Sequence, residues 1–439
     1  MEISKTYILR DPVHLDIVFP EKYFELVNTM EFQRLSRIKQ LSCEYLVFPT
    51  ASHTRFSHSI GTYHVMGELI DRLENILFEY EIEVTQEQRD LALCSALLHD
   101  IGHGPFSHTF EKIFKLGNHE AWTVKIIQDN ESQINKIITK NFSKSFVNKL
   151  IKVLIKENDE SSRDDEQNII TLISQLISSQ IDADRMDYLL RDSYFTSVSN
   201  GNYDMKRIIK SLDVVKLGSK LRICVNEKYI SSIEEYIMAR YYMHKEAYQH
   251  PIKLQMENVL IKIFSRAKEL YFRKYSIFID PIMEKLFLDK EITVVDYTSI
   301  DDYFMYFHIS KWKSCEDSIL AMLCTTFMDR KKYKRYRKPE DGLELSMILN
   351  NRLEKIGKTK ILWEKEYSYI NTSVSFGIYN RNTDNIWVKM KDGSIKDISQ
   401  VSFVFQNMDM EKEYKRTIEC FSEEMLKSQY GEDFLEGLI

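Results

Sequence analysis

The chain is poor in the residues that build small cross-linked or irregular folds. Its 439 residues include only 13 glycines, 7 prolines and 6 cysteines, and the cysteines form no Cys-x-x-Cys pair. That pattern argues against a disulfide framework and against a zinc ribbon. Because few residues break helices and long helical patterns are common, the sequence predicts a mainly α fold.

Long apolar runs and a strong net charge are also missing. No uninterrupted apolar stretch reaches the length of a transmembrane helix, and residues 1–20 lack the layout of a signal peptide. We therefore expect a cytoplasmic protein with no membrane partner. The formal charge of -6 provides no overall attraction to nucleic acid, so a local basic patch would have to supply it.

Histidine, by contrast, is concentrated in one part of the chain. Seven of the eleven histidines lie between His53 and His119, and the segment 97–108 reads LLHDIGHGPFSH. An apolar helix is predicted to end at His99 and Asp100, because glycine and proline follow them. Imidazole nitrogen and carboxylate oxygen are both good ligands of a divalent transition metal. The segment therefore predicts a metal-centred active site.

Further metal ligands must come from other segments. His58 is the best second histidine, and the run DADRMDY at 182–188 provides a second carboxylate. Spacing alone leaves Asp182 and Asp184 as alternatives, whereas Asp187 is expected to pair with an arginine. Two histidines and two aspartates around one ion leave coordination positions for water and substrate, as a catalytic metal requires.

The chain as a whole is predicted to contain a helical core over residues 1–290 and a smaller α+β lobe over 291–439. Hydrophobic periodicity and turn residues predict helices at 22–29, 31–41, 169–190 and 230–249, and hairpins at 214–225 and 386–398. A basic run at 330–338 is typical of a solvated helix face, and binding of nucleic acid or a regulatory nucleotide is the alternative.

Four ordered motifs and one closing block resemble the HD-domain superfamily. They are HTRFSHS at 53–59, LLHDIGHGPFSH at 97–108, NHE at 118–120, DADRMDYLLRDS at 182–193 and AYQH at 247–250. The resemblance covers roughly residues 10–251 and is closest to the deoxynucleoside triphosphate triphosphohydrolases, a branch that includes bacterial dGTPase-like enzymes. It implies an HD-domain helical core and metal-dependent hydrolysis of deoxynucleoside triphosphates (dNTPs) to deoxynucleoside and inorganic triphosphate.

The resemblance also implies roles for individual residues. One divalent ion per active site (manganese, magnesium, iron, zinc or cobalt) is implied, with the ligands His58, His99, Asp100 and Asp184. A second group is implied to contact the triphosphate and move protons, namely Arg55, His103, His108, His119 and Glu120. A third group is implied to bind the rest of the substrate, namely Gln40, Leu41, Arg185, Tyr188, Asp192, Arg240, Tyr248 and Gln249.

Partners are implied as well. Besides the dNTP substrate, the resemblance implies self-association as a dimer or tetramer, and an activator nucleotide is a further candidate. Asn28 and Ser36 stand where a nucleotide-activated relative has an acidic residue and an arginine that read guanine. Those two changes argue against activation by a guanine nucleotide.

Other interpretations of the same residues stay open. The protein is alternatively an HD phosphohydrolase of another nucleotide or of a nucleic-acid phosphoester, or a non-catalytic nucleotide or single-stranded nucleic-acid binder. Arg240 is as consistent with a salt-bridge partner as with a substrate contact, and Tyr248 is consistent with a core aromatic. His14, His53 and His64 are expected to be structural.

Overall fold

Helices form most of the structure, a computed structural model that describes residues 5–156, 165–218, 220–338, 343–355, 367–379, 385–408 and 413–436. The predicted mainly α fold is confirmed. No helix in these ranges is both long enough and apolar enough to cross a membrane. At the N-terminus, two antiparallel strands, β1 (Thr6–Asp11) and β2 (Leu15–Pro20), form a hairpin ahead of the first helix.

The helices of the predicted core each bury an apolar face against neighbouring helices. They are α1 (Glu21–Val27), α2 (Met30–Arg34), α3 (Arg55–Phe78), α4 (Gln86–Leu98), α5 (His108–Ile113), α6 (His119–Gln128), α7 (Gln133–Asn141), α8 (Lys144–Leu154), α9 (Asp165–Ile177), α10 (Ala183–Thr196), α11 (Met205–Ser211), α12 (Ile230–Met243) and α13 (Pro251–Phe272). The predicted helix at 31–41 is shorter than expected, because the chain continues from α2 as a single 3-10 turn, Leu35–Arg37.

The central helix α3 packs against both α4 and α10. Its buried stripe includes Met66, Leu69, Ile70 and Leu73, which recur at the spacing of one helix face. Helix α4 begins with a capping box in which Thr85 and Gln88 exchange hydrogen bonds. Because α3, α4 and α10 pack together, the segments that carry the predicted metal ligands meet at one place.

The single helix predicted at 169–190 is wrong: the structure has two helices, α9 and α10. Asp182 accepts hydrogen bonds from the backbone N–H groups of Ser179 and Arg185, each at 2.7 Å. Such side-chain bonds to nearby backbone compete with a continuous helix and then cap the next one. The helix predicted at 230–249 is confirmed, although its last turn, His244–Tyr248, is π-helical.

Both predicted hairpins are confirmed, and together they form one sheet. The strands are β3 (Leu212–Leu217), β4 (Lys220–Asn226), β7 (Trp387–Lys389) and β8 (Ile395–Asp397), in the order β3-β4-β7-β8. The pair β4 and β7 is parallel, with Cys224 opposite Trp387. This sheet therefore joins residues from both sides of the boundary predicted at 290, and that boundary stays a prediction.

A second sheet contains part of the basic run. Its strands are β5 (Lys334–Tyr336), β6 (Tyr369–Phe376) and β9 (Tyr414–Phe421), with β9 in the middle. The predicted helix face at 330–338 is wrong, because β5 pairs with β9 and buries Tyr333 beside it. Lys331 and Lys334 form ion pairs with Glu424 and Glu423 at 3.1 and 3.0 Å.

The remaining helices lie in the C-terminal half and include several short turns. They are α14 (Pro281–Phe287), α15 (Val294–Thr298), α16 (Asp302–Trp312), α17 (Ser318–Met328), α18 (Leu345–Lys355), α19 (Ile398–Val401), α20 (Phe403–Gln406) and α21 (Glu423–Tyr430). Two of them reach the predicted site: Tyr297 of α15 donates a hydrogen bond to the carbonyl of Gly102 at 2.7 Å, and α16 makes the contacts described below.

Candidate metal centre

His99 lies at the C-terminal end of α4, where one of its ring nitrogens forms a hydrogen bond and the other does not. Its Nδ1 lies 2.8 Å from the backbone carbonyl of Ala96, which can accept a hydrogen bond only if Nδ1 carries the proton. That tautomer leaves Nε2 with its lone pair. The end of the apolar helix therefore presents a nitrogen that can bind a metal.

His58, near the start of α3, is oriented in the same way, but its partner is a carboxylate. Its Nδ1 lies 2.7 Å from Oδ2 of Asp187, which is fully buried and is also held by Arg191 at 2.8 and 2.9 Å. A third partner, His14 Nε2, lies 2.7 Å from Asp187 Oδ1. Carboxylates in this position orient a ligating histidine and strengthen it as a ligand. The prediction that Asp187 pairs with an arginine is confirmed.

Space for the buried Asp187 carboxylate comes from a glycine on α3. A Cβ atom at Gly61 would overlap with Asp187 and with Arg191. The glycine is therefore required by close packing, since any side chain would displace the group that orients His58.

The four predicted metal ligands converge, and we call them the metal cluster: His58, His99, Asp100 and Asp184. His58 Nε2 lies 3.0 Å from Asp184 Oδ1 and 3.7 Å from Asp100 Oδ2. His99 Nε2 lies 3.4 Å from Asp100 Oδ1 and 3.5 Å from Asp184 Oδ1. Ligand atoms about 2.1 Å from one ion lie roughly 3 Å from each other, so these separations suit a single divalent ion.

Two further observations fit a cation in the metal cluster. The Nε2 atoms of His58 and His99 are buried and have no hydrogen-bond partner in the part of the chain that the structure describes. Burial alone would lower the pKa of His58, but the nearby carboxylates of Asp184 and Asp187 outweigh burial and raise that pKa to about 10. The carboxylates therefore favour a positive charge here, which a metal ion or a proton can supply.

Asp182, which spacing alone left as an alternative metal ligand, has a different role. Its carboxylate caps α10 and forms an ion pair with Arg185, and the residue is fully buried. Asp184, two residues later, faces the two histidines instead. The geometry thus favours Asp184 over Asp182 as the metal ligand.

Arg55 lies one turn before His58 and borders the metal cluster. One of its guanidinium nitrogens, Nη1, donates a short hydrogen bond to Asp100, and Nη2 donates to Ser107 Oγ at 2.7 Å. The arginine is therefore fixed beside a metal ligand, in a position from which its charge reaches an anion bound there.

Three more histidines form a second group around a carboxylate that the sequence analysis missed. Glu111 lies 2.9 Å from His119 Nδ1 and 3.1 Å from His108 Nδ1, and it also accepts the backbone N–H of His119 at 2.9 Å. The rings of His103 and His119 stack with centroids 3.8 Å apart. Burial raises the pKa of Glu111, but these hydrogen bonds outweigh it and lower that pKa to about 2.

Glu111 could have been found from its spacing in the sequence. His108 and Glu111 are three residues apart in a helix, which places them on one face. Glu120 does not join the histidines around Glu111: its side chain is exposed, and its carboxylate accepts a hydrogen bond from Asn118 at 3.2 Å. The carboxylate that orients His119 is therefore that of Glu111.

A series of polar and aromatic side chains continues from the metal cluster along α10. The ring of Tyr188 lies 6.3 Å from that of His58 and 6.2 Å from that of Tyr248. Asp192 accepts a hydrogen bond from the Tyr248 hydroxyl at 2.7 Å, and its other oxygen lies 2.7 Å from His53 Nε2. His53 and Tyr248 thus hold the two oxygens of Asp192, and the partly buried Tyr248 also packs against the core.

Gln40 and Gln249 each have a buried Oε1 atom without a hydrogen-bond partner among the described residues. Gln40 is held by its backbone, because its N–H donates to the carbonyl of His53 at 3.0 Å. Leu41 follows it and is partly buried. The two glutamine side chains therefore retain acceptor atoms that a ligand can use.

Arg185 and Arg240 are both tied to the turn between α9 and α10. Arg185 contacts Asp182 and the carbonyl of Ser179, and Arg240 donates to Gln180 Oε1 at 2.5 Å. Arg240 also donates to the carbonyl of Ile378 at 3.1 Å. Their positions are fixed by internal bonds, and one turn separates Arg185 from Tyr188 on the same helix.

Comparisons with known proteins agree with this arrangement. The HD domain family model matches residues 55–192, the segment that carries every member of the metal cluster. The uncharacterized protein YwfO of Bacillus subtilis is 33% identical over 415 residues, which cover 93% of this chain and 90% of that protein. The crystal structure of a phosphohydrolase from Bacteroides thetaiotaomicron superposes with a TM-score of 0.78 at 28% identity, covering 95% of this chain and all of the other.

A third similarity is partial. The human deoxynucleoside triphosphate triphosphohydrolase SAMHD1 is 30% identical over 296 residues, which cover 61% of this chain and 46% of that protein. The chain therefore spans about half the length of this relative. The similarity to YwfO and to the Bacteroides phosphohydrolase, in contrast, extends well beyond the histidine-rich segment.

Proposed function

The chain belongs to the HD-domain phosphohydrolases, and from this premise we propose that it hydrolyses dNTPs to deoxynucleoside and inorganic triphosphate. The named activity of SAMHD1, a partial relative, supports this choice of substrate. The proposal includes one divalent metal ion per active site, held by His58, His99, Asp100 and Asp184. When bound, such an ion polarises a phosphoryl oxygen and lowers the pKa of a water molecule.

The observation that carries the proposal is the chain of contacts that connects the metal cluster to Asp192. Tyr188 contacts both His58 and Tyr248, and the Tyr248 hydroxyl bonds to Asp192. A nucleoside triphosphate has a phosphate chain at one end and a sugar with its base at the other, so it matches a metal cluster connected to hydrogen-bond acceptors. Each Asp192 oxygen has a second lone pair, with which it can accept a hydrogen bond from the 3'-hydroxyl of a sugar.

The phosphate chain would be bound by arginines around the metal cluster. Arg55 is fixed by Asp100 and Ser107, and its remaining N–H groups can donate to phosphoryl oxygens. Arg185 and Arg240 are proposed to contribute charge from the opposite side, next to Tyr188. Positive charge held in advance stabilises the charge that develops on the leaving triphosphate.

Proton transfer is proposed for the histidines around Glu111. Because Glu111 accepts the Nδ1 proton of His119, the Nε2 atom of His119 is free to take up a proton. His108 has a side chain 68% exposed and can reach a substrate atom, so we propose that it donates a proton to the departing 5'-oxygen. His103, stacked on His119, is proposed to line the same phosphates.

Product analysis by chromatography tests the proposed function. Protein loaded with Mn²⁺ or Mg²⁺ is incubated with each dNTP and rNTP, singly and in mixtures, next to an Asp100→Ala control. We expect deoxynucleoside and inorganic triphosphate from dNTPs, little turnover of rNTPs, and no products from the control. Turnover only in mixtures would establish an activator nucleotide, despite Asn28 and Ser36.

Other product patterns would point to the alternatives. Monophosphate or pyrophosphate would indicate an HD phosphohydrolase that attacks another position or another phosphoester. No turnover in any tube would overturn the proposal and favour a nucleotide sensor. We further propose that the protein forms a dimer or tetramer, which light scattering with and without dNTP measures directly.

A further inference from the structure

Two segments that carry predicted site residues lie close together, and one of them is strained. In the loop before α5, Phe106 and Ser107 have positive φ angles of 54° and 51°. A residue other than glycine adopts a positive φ angle only at an energetic cost. The loop nevertheless carries Ser107, the partner of Arg55, and leads directly into His108. Some other part of the molecule must hold it in place.

Asp302, at the first position of α16, contacts both segments at once. Its Oδ1 accepts the backbone N–H of Phe106 at 3.2 Å, and its Oδ2 accepts the backbone N–H of Lys39 at 3.0 Å. Lys39 immediately precedes Gln40 and Leu41. Asp302 is only 1% exposed, so water does not compete for these bonds.

The rest of α16 supports the same connection. Asp301 caps the helix through the N–H of Phe304 at 2.9 Å and accepts a bond from Arg37 Nε at 2.5 Å. One turn further on, the ring of Tyr306 lies 5.5 Å from that of Phe106, and its hydroxyl bonds to the hydroxyl of Tyr45. Helix α16 therefore holds the 37–45 segment and the Phe106 loop together at two successive turns.

We propose that Asp302 is a positioning residue that fixes the distance between the Lys39–Leu41 segment and the Phe106–His108 loop. This inference rests on the proposed function, in which His108 acts at the departing 5'-oxygen, and on the implied role of Gln40 in binding another part of the same substrate. Asp302 contacts no reacting atom itself. It stabilises the strained loop and thereby keeps Ser107 and His108 oriented toward the metal cluster.

The variant Asp302→Asn tests the proposal, because asparagine has the same shape but only one oxygen to accept a bond. We expect kcat for the preferred dNTP to fall about tenfold or more, since small misplacements of catalytic groups are costly, while KM changes by less than about threefold. The bound metal should stay at the wild-type level. The matched control is Asp317→Asn, which removes a carboxylate that caps α17 through Leu320 and pairs with Arg266.

The control is expected to lower the melting temperature without changing kcat at a temperature where both variants are folded. The proposal is overturned if Asp302→Asn keeps the wild-type kcat. It is equally overturned if kcat falls only in proportion to the fraction of unfolded protein, because that behaviour is expected of a residue whose role is purely structural.

Amide hydrogen exchange gives a readout that needs no substrate. In the wild type, the amides of Lys39 and Phe106 should be protected to the same degree, because one carboxylate holds both. Asp302→Asn should accelerate both, and Asp317→Asn neither. If the wild type hydrolyses no nucleotide, the proposed function fails, but hydrogen exchange still tests whether Asp302 couples the two segments. Unrelated exchange rates at the two amides in the wild type would refute that coupling, even if the variant does not fold.

Discussion

The metal cluster and the Gln40–Glu44 segment both contain buried polar atoms without hydrogen-bond partners among the described residues, but the atoms are of opposite kinds. In the metal cluster they are the Nε2 atoms of His58 and His99, with carboxylate oxygens 3.0 to 3.7 Å away. In the Gln40–Glu44 segment they are oxygens: Oε1 of Gln40, Oγ of Ser42 and both carboxylate oxygens of Glu44.

The difference shows how each region can satisfy its polar atoms. Ring nitrogens that face carboxylates are satisfied by a cation, and they are oriented in advance because their Nδ1 atoms already donate elsewhere. Glu44 has no such support, and burial raises its pKa well above the usual range. A metal ion therefore suits the first region, whereas Glu44 is satisfied by holding a proton.

The largest expected effect comes from removing charge within the metal cluster. Asp184→Asn keeps the size of the side chain but removes the carboxylate that faces both histidines. We expect bound metal to fall to near zero by elemental analysis and turnover to fall at least roughly a thousandfold, the loss of several kcal/mol of metal-dependent stabilisation.

The neighbouring variant Asp182→Asn is the control for that change. Asp182 caps α10, so its loss is expected to cost about 1 kcal/mol of folding free energy while the metal stays bound. If instead Asp182→Asn lost the metal and Asp184→Asn kept it, the assignment of the ligands would be reversed.

A smaller effect is expected from the group that orients His58. Asp187→Asn weakens the hydrogen bond to His58 Nδ1 and leaves Arg191 and His14 without their shared charge. Metal affinity should fall about 10-fold to 100-fold, as titration calorimetry or a competing chelator measures, and saturating metal should restore most of the turnover. Asp90→Asn, at a buried carboxylate held by Tyr23, is the control; an equal loss of metal affinity there would mean general destabilisation.

The features that could be predicted from the sequence are those with a local signal. Three members of the metal cluster were predictable, because His99 and Asp100 are adjacent and follow an apolar helix and because His58 lies in a second histidine-rich motif. The helical class and both hairpins followed from periodicity and turn residues. These signals are local, and each depends on residues only a few positions apart.

The supporting contacts were not predictable, because they join residues that are distant in the chain. His14 meets Asp187 across 173 positions, and Asp302 meets Phe106 across 196. Nothing in the local pattern marks such pairs. The strand at 334–336 was missed for a related reason: its partner strand β9 begins almost 80 residues later, and tertiary pairing outweighs the helical preference of a lysine-rich and arginine-rich run.

The smallest expected effect, and the sharpest contrast with the metal cluster, is that of Glu44→Gln. The unfolded carboxyl titrates near 4.5, and burial raises the folded pKa well above that value, so the folded chain keeps a proton that the unfolded chain releases. Wild-type stability should therefore fall by up to about 1.4 kcal/mol per pH unit above 4.5, until the folded pKa is reached. Glutamine does not ionise, so the variant should match the wild type near pH 4 and exceed it by at least about 1 kcal/mol at pH 7 in denaturant titrations. The exposed control Glu316→Gln should give no such pH-dependent difference; a flat difference for Glu44→Gln as well would mean that Glu44 is ionised in the folded chain.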